Sequence, residues 1–67
     1  MALRLDEWRR AKKLTQPELA KECGVSVTSI RFWEAHPDRI QIRYIPIIAN
    51  ALGVDQKDII FLPNEAK

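Results

Sequence analysis

The stretch LTQPELAKECGVSVTSIRFWE, residues 14–34, decides the fold. It contains two helix starts built alike. Thr15 is a good N-cap, and Glu18, three residues on, completes a capping box. Pro17 falls in the first turn, where its missing N–H costs little. Leu14, before the cap, can staple onto Leu19. Ser26 caps the second start, and Val25 can staple onto Ile30. Between them stands Gly24, the residue type preferred just past a helix end. Helices are therefore expected over residues 16–23 and 27–35, joined by a tight turn at Gly24. On the first of them Leu19, Ala20 and Cys23 share an inward stripe.

Outward from this stretch the chain stays helical in pattern. A first helix is expected over residues 4–12, with Leu5 and Trp8 inward. A loop containing Pro37 follows from residue 36 to about 41. A fourth helix is expected over 45–52, with Ile45, Ile48, Ala49 and Leu52 inward. Pro46 cannot sit deep in that helix, so it begins at Tyr44 or Ile45 and leaves residues 39–43 extended. Gly53 closes it. Val54-Asp55-Gln56-Lys57-Asp58-Ile59 then repeats the start pattern, with Asp55 as cap, Val54 stapling to Ile59, and a fifth helix over 56–61. Pro63 ends that helix, and residues 64–67 form a tail. The only candidate strand is the short alternation IQIRYI at 40–45. The expected fold is all-α: five helices in one domain over residues 1–63.

A helix over 27–35 cannot aim Ile30, Phe32 and Trp33 at one core. At about 100° per residue, Ile30, Trp33, Glu34 and Ser26 share the inward arc. Thr28, Arg31, Phe32 and Ala35 fall on the outward arc, with Val27 and Ser29 on the flanks. A face that only needed solubility would carry Glu, Lys and Gln. This one mixes apolar and hydrogen-bonding groups, the kind that meet thymine methyls and base edges; the alternative is that Phe32 packs on a loop or on a dimer mate. Two short helices on a tight turn form a helix-turn-helix unit, whose second helix can enter a DNA major groove.

Composition is compatible with such a role. The chain has 67 residues, 11 basic and 9 acidic, for a net charge of +2. Arg9, Arg10, Lys12 and Lys13 form a basic cluster with no acid among them, and Arg39 and Arg43 a second. A chain this short has little room for an enclosed active site. His36 is the only histidine and stands beside Pro37 and Asp38, without a partner for a triad or a metal. Two glycines make no phosphate loop. No enzyme activity, metal, cofactor or small-molecule ligand is expected. The lone Cys23 cannot form an internal disulfide, which points to a reducing compartment. No apolar run approaches the ~20 residues of a membrane span. The opening MALRLDEWRR lacks the apolar core of a signal peptide. The expected location is the cytoplasm.

LTQPELAKECGVSVTSIRFWE resembles the pattern L-(S/T)-Q-x-E-L-A-x-x-x-G-V-S-x-x-x-I-x-x-(W/I/L)-E of Cro/repressor-type (XRE) helix-turn-helix domains. RYIPIIANALGV, residues 43–54, is similar to R-F-L-P-x-L-A-x-A-L-G-V of lambdoid-phage repressor and Cro domains. The likeness covers about residues 3–62 and implies a lambda-repressor-like fold and a sequence-specific, double-stranded DNA-binding transcriptional regulator. It implies that Gln16 contacts a DNA phosphate, and the helix N-terminus behind it favours an anion independently. It implies an internal ion pair between Arg9 and Glu34, and an approach of Arg43 to the minor groove. The base-reading positions map onto Val27, Thr28 and Phe32, with Arg31 and Ser26 assisting, and Arg10 joins the phosphate contacts. Several relatives carry Gln at the positions of Val27, Thr28 and Phe32. The apolar residues here imply readout through thymine methyls, phosphates and DNA shape in place of Gln–adenine pairs. The loop Ala35-His36-Pro37-Asp38 also departs from the common Asn-Gly turn.

The expected partner is an operator with two half-sites, bound by a homodimer as in a Cro-like repressor of phage or mobile-element origin. Ile59, Ile60 and Phe61 are the expected dimer interface, because with Leu62 they form an apolar run that cannot share one helical stripe. The alternative is a protein-interaction module of the same fold, an antitoxin or anti-repressor. It would act through the 27–35 helix or the C-terminal apolar segment.

Overall fold

The structure, a computed structural model, describes residues 1–62; the stop expected at Pro63 and the tail at 64–67 lie outside the described residues. Among the described residues four α-helices form: α1 (Leu5–Ala11), α2 (Gln16–Cys23), α3 (Val27–Ala35) and α4 (Ile45–Leu52). The start signals work as atoms. Thr15 Oγ1 accepts from the Glu18 backbone N–H at 3.2 Å, and Glu18 Oε1 accepts from the Thr15 N–H at 2.8 Å. Ser26 Oγ accepts from the Ser29 N–H at 3.2 Å.

Three helices stop in the same way. After α2 the Gly24 N–H donates to the Lys21 carbonyl and the Val25 N–H to the Ala20 carbonyl. After α4, Gly53 and Val54 repeat this on Asn50 and Ala49. These are Schellman stops, which need a left-handed residue, and both glycines have φ of 71°. After α1 the same two bonds run from Lys13 to Arg10 and from Leu14 to Arg9. Here a lysine takes the left-handed position, with φ of 60°. Nothing in the sequence marks it, since the bonds and not the residue type define the stop.

The fifth helix expected over 56–61 does not form, so the fold is four helices and not five. Asp55 does cap, with Oδ1 accepting from the Lys57 N–H at 3.2 Å, but it starts only a 3-10 turn at Gln56–Asp58. The chain then runs as a strand, β2 (Ile59–Ile60), parallel to β1 (Leu3–Arg4), in the register Leu3↔Ile59 and Arg4↔Ile60. Four consecutive apolar residues with two β-branched leaders suit an alternating strand better than a helical stripe. A parallel pair needs a long crossover, and the whole domain between residues 4 and 59 supplies it. The stretch 40–45 is not a strand: Ile42–Tyr44 is a 3-10 turn. Pro37–Arg39 is another, so the expected extended link is reduced to Ile40 and Gln41.

Leu5, Leu19, Ile30 and Ile48 form the innermost core, joined by Ala20, Cys23, Trp33, Ile40, Ala49, Leu52 and Ile59. Trp8 is half-buried and donates from Nε1 to the Asp58 carbonyl at 2.7 Å, tying α1 to the segment before β2. The Trp33 and Tyr44 rings meet at 5.1 Å and join α3 to the start of α4. Burial, then the neighbouring Glu22, pushes the Cys23 thiol up from its ordinary value, so it stays protonated as a small core residue.

One polar cluster fastens α1, the start of α2 and the end of α3. The Arg9 guanidinium forks onto the Glu34 carboxylate through Nε to Oε2 and Nη2 to Oε1, the latter at 3.4 Å. Arg9 Nη1 donates to the Leu14 carbonyl at 2.8 Å, and Gln16 Nε2 donates to Glu34 Oε1 at 2.9 Å. The two charged side chains are only 12% and 10% exposed. Removing one would strand the other with little water, so Arg9→Ala is expected to cost about 3 kcal/mol. In a domain this small that lowers Tm by more than about 10 °C. Glu34→Ala should cost a similar amount and the double variant less than the sum; small, additive losses in thermal unfolding would contradict the cluster's role. At the helix stops, Gly24→Ala meets no atom within 4 Å, so its whole cost is the left-handed backbone, about 1 kcal/mol. Lys13→Gly is expected to gain about 0.5–1 kcal/mol, as relief of strain outweighs the freer unfolded chain. A destabilised Lys13→Gly protein would refute that account of the α1 stop.

Candidate nucleic-acid interface

α3 is held from behind. Ile30 and Trp33 enter the core, and Glu34 is pulled back onto Arg9 and Gln16. The opposite side carries Thr28, Arg31, Phe32 and Ala35, all exposed. Phe32 is 43% exposed; among the described residues Met1, Ile42, Ile47 and Leu62 also bring large apolar side chains to solvent, but only Phe32 does so on α3. Its ring is not isolated: the His36 ring lies 5.1 Å away at a tilt of 46°. Sequence reasoning treated His36 as an unremarkable loop residue. The available signal was its i+4 spacing from Phe32, obscured because it lies just past the helix.

Val27 is half-buried and packs against the core, so it offers an edge and not a full side chain. Helical periodicity places Ser26 on the inward arc, but as the N-cap it precedes the first turn and is exposed. Its Oγ is engaged by the Ser29 N–H and lies 3.2 Å from Ser29 Oγ.

The other candidate contacts are spread over different elements. Gln16, the first residue of α2, is half-buried, with its amide fixed by Glu34. That bond uses one amide hydrogen and leaves the second hydrogen and the carbonyl oxygen uncommitted. Arg10 is exposed and leans on Asp6 at 3.3 Å, a contact worth little in water. Arg43 is exposed; its Nε donates to Gln41 Oε1 at 3.1 Å, and its guanidinium lies 5.0 Å over the Tyr44 ring. The arginine is thus steered by its neighbours, and among the described residues no carboxylate pairs with it.

Ile59, Ile60 and Phe61 do not behave as one patch. Ile59 is 5% exposed and belongs to the core of the single chain, because β2 turns it inward. Ile60 and Phe61 are half-buried and Leu62 is exposed. Phe61 lines an open groove of about 740 Å³ together with Ile45, Pro46, Ala49, Val54 and Lys57. Among the described residues no group of His, Cys, Asp and Glu side chains comes together to hold a metal. No helix among them is long and apolar enough to cross a membrane.

Set against models of protein families, residues 5–55 match the helix-turn-helix family. Comparison with curated proteins and with solved structures gives no significant match. The matched span contains all four helices and the turn at Gly24, while both strands lie outside it. The chain therefore belongs to the helix-turn-helix family of the Cro/XRE type, a family of double-stranded DNA-binding transcription regulators.

Proposed function

We propose that the chain is a Cro-like repressor that binds a two-half-site operator as a homodimer in the cytoplasm, with α3 in the major groove. The observation that carries this reading is the division of α3. One face is locked by Ile30, Trp33 and Glu34, and the other offers Thr28, Arg31 and Phe32 to solvent. An α-helix with its side chains is about 10–12 Å across, a match for a groove about 12 Å wide. In this reading the Phe32 ring and the Val27 edge meet thymine methyls, and Thr28 and Arg31 bond base edges. Gln16, Ser26, Arg10 and Arg43 hold the backbone and set register.

The dimer is supported by size and by surface. The longest extent of the domain is 32 Å, so copies side by side suit half-sites about one helical turn, ~34 Å, apart. The half-buried Ile60 and Phe61 and the exposed Leu62 would give the pair its apolar contact. No cofactor enters the reading. A phage or mobile-element origin rests on the likeness of residues 43–54 to lambdoid domains.

Selection of bound sequences from a random duplex pool at fixed salt tests the proposal. A two-fold symmetric motif is expected; failure to enrich any motif would favour the protein-interaction module. On the selected duplex, Thr28→Ala or Phe32→Ala should relax preference at single base pairs by about 1–3 kcal/mol. Gln16→Ala and Arg43→Ala should weaken binding across sequences, and Arg43→Ala should reduce the salt slope by about 1. Unchanged selectivity in Phe32→Ala would remove that ring from the reading face.

A further inference from the structure

We propose that His36 is a specificity-determining residue of the reading face, acting by holding the Phe32 ring in the orientation that meets the base. The inference rests on the DNA-reading role proposed above for α3 and extends it beyond the helix. Four observations support it. The two rings are in contact, at 5.1 Å and 46°, while both residues remain exposed. The His36 backbone is fixed from both sides: its N–H donates to the Phe32 carbonyl at 2.8 Å, and its carbonyl accepts from the Arg39 N–H at 2.9 Å. Pro37, which follows it, is buried and restricts it further. Finally, the exposed charges between residues 31 and 39 are Arg31, Asp38 and Arg39, a net positive set, because Glu34 is turned onto Arg9.

These features give His36 a task. An exposed phenylalanine on a helix moves among rotamers, and ordering it on contact opposes binding. A ring packed against a fixed neighbour has already lost that freedom, so contact with a thymine methyl comes at less entropic cost. The positive surroundings suit an anionic partner such as DNA and disfavour a basic one. His36-Pro37 forms a rigid link, carrying a ring, into the 3-10 turn that follows α3.

The test runs the random-duplex selection and quantitative binding with wild type, Phe32→Ala, His36→Ala, His36→Phe and the Phe32→Ala/His36→Ala double variant, each with its Tm. His36→Ala should lower the preference at the base pair that Phe32→Ala affects by about three- to tenfold, the range an aromatic pair supplies. The double variant should be no less selective than Phe32→Ala alone, and Tm should stay close to that of wild type. His36→Phe keeps a ring without its nitrogens and should retain the preference. The inference is overturned if His36→Ala keeps the wild-type motif while Phe32→Ala relaxes it; the reading face then stands without His36. It is also overturned if His36→Ala weakens all sequences equally, which would make His36 a phosphate contact. If the wild type enriches no motif, the reading face itself falls and this inference with it.

Discussion

Everything α3 can present depends on how it is tied down, and the Arg9–Glu34–Gln16 cluster ties it. Ile30 and Trp33 set the depth of the helix in the core, but apolar packing is non-directional and tolerates rotation. The Arg9 fork on Glu34 is directional; Gln16 donates to the same carboxylate and the Leu14 carbonyl accepts from the same guanidinium, so α1, the α1–α2 link and α2 are all tied to α3. Turning α3 by one residue position would pull Glu34 out of the fork. The orientation of Thr28, Arg31 and Phe32 is thus set by a residue on the far side of the helix from them. The same cluster fixes Gln16, so the phosphate contact proposed at the start of α2 is held in register with the reading face.

A domain this small has few apolar residues to spend on closure, and the strand pair shows how it closes. β1 and β2 bring the two ends of the described chain together through Leu3 and Ile59, and Trp8 adds its bond to the Asp58 carbonyl. This places Ile59 inside and leaves Ile60, Phe61 and Leu62 as the surface remainder of the apolar run. A second copy would meet that remainder, beside the groove that Phe61 shares with α4.

Much of the fold was legible because its signals are local. The Thr15 and Ser26 caps, Pro17 in a first turn and Gly24 past a helix end specify α2 and α3 through contacts within a few residues. The division of α3 followed from helical periodicity, which needs no tertiary knowledge. The failures share a cause. Ile59–Phe61 carried a sound cap at Asp55, yet their conformation is decided by Leu3 and Arg4, more than fifty residues away in sequence. Lys13 hides a left-handed stop because its position is fixed by bonds to Arg9 and Arg10 carbonyls and not by its own preference. Among the site residues, Phe32 was visible as a misplaced hydrophobe. Its contact with His36 was not, because the chain leaves the helix between them. The resemblance and the helix N-terminus both point Gln16 at a phosphate, and its bond to Glu34 emerges only from the packing of α2 on α3.

Amide chemical-shift mapping tests most directly whether this face meets DNA. With ¹⁵N-labelled protein titrated by a duplex at moderate salt, the account predicts the largest shifts at Thr15 and Gln16, over 26–32 and at His36. Core amides such as those of Cys23 and Ile48 should move little. Shifts confined to Ile60–Leu62 and the outer side of α4, or no shifts at all, would contradict it.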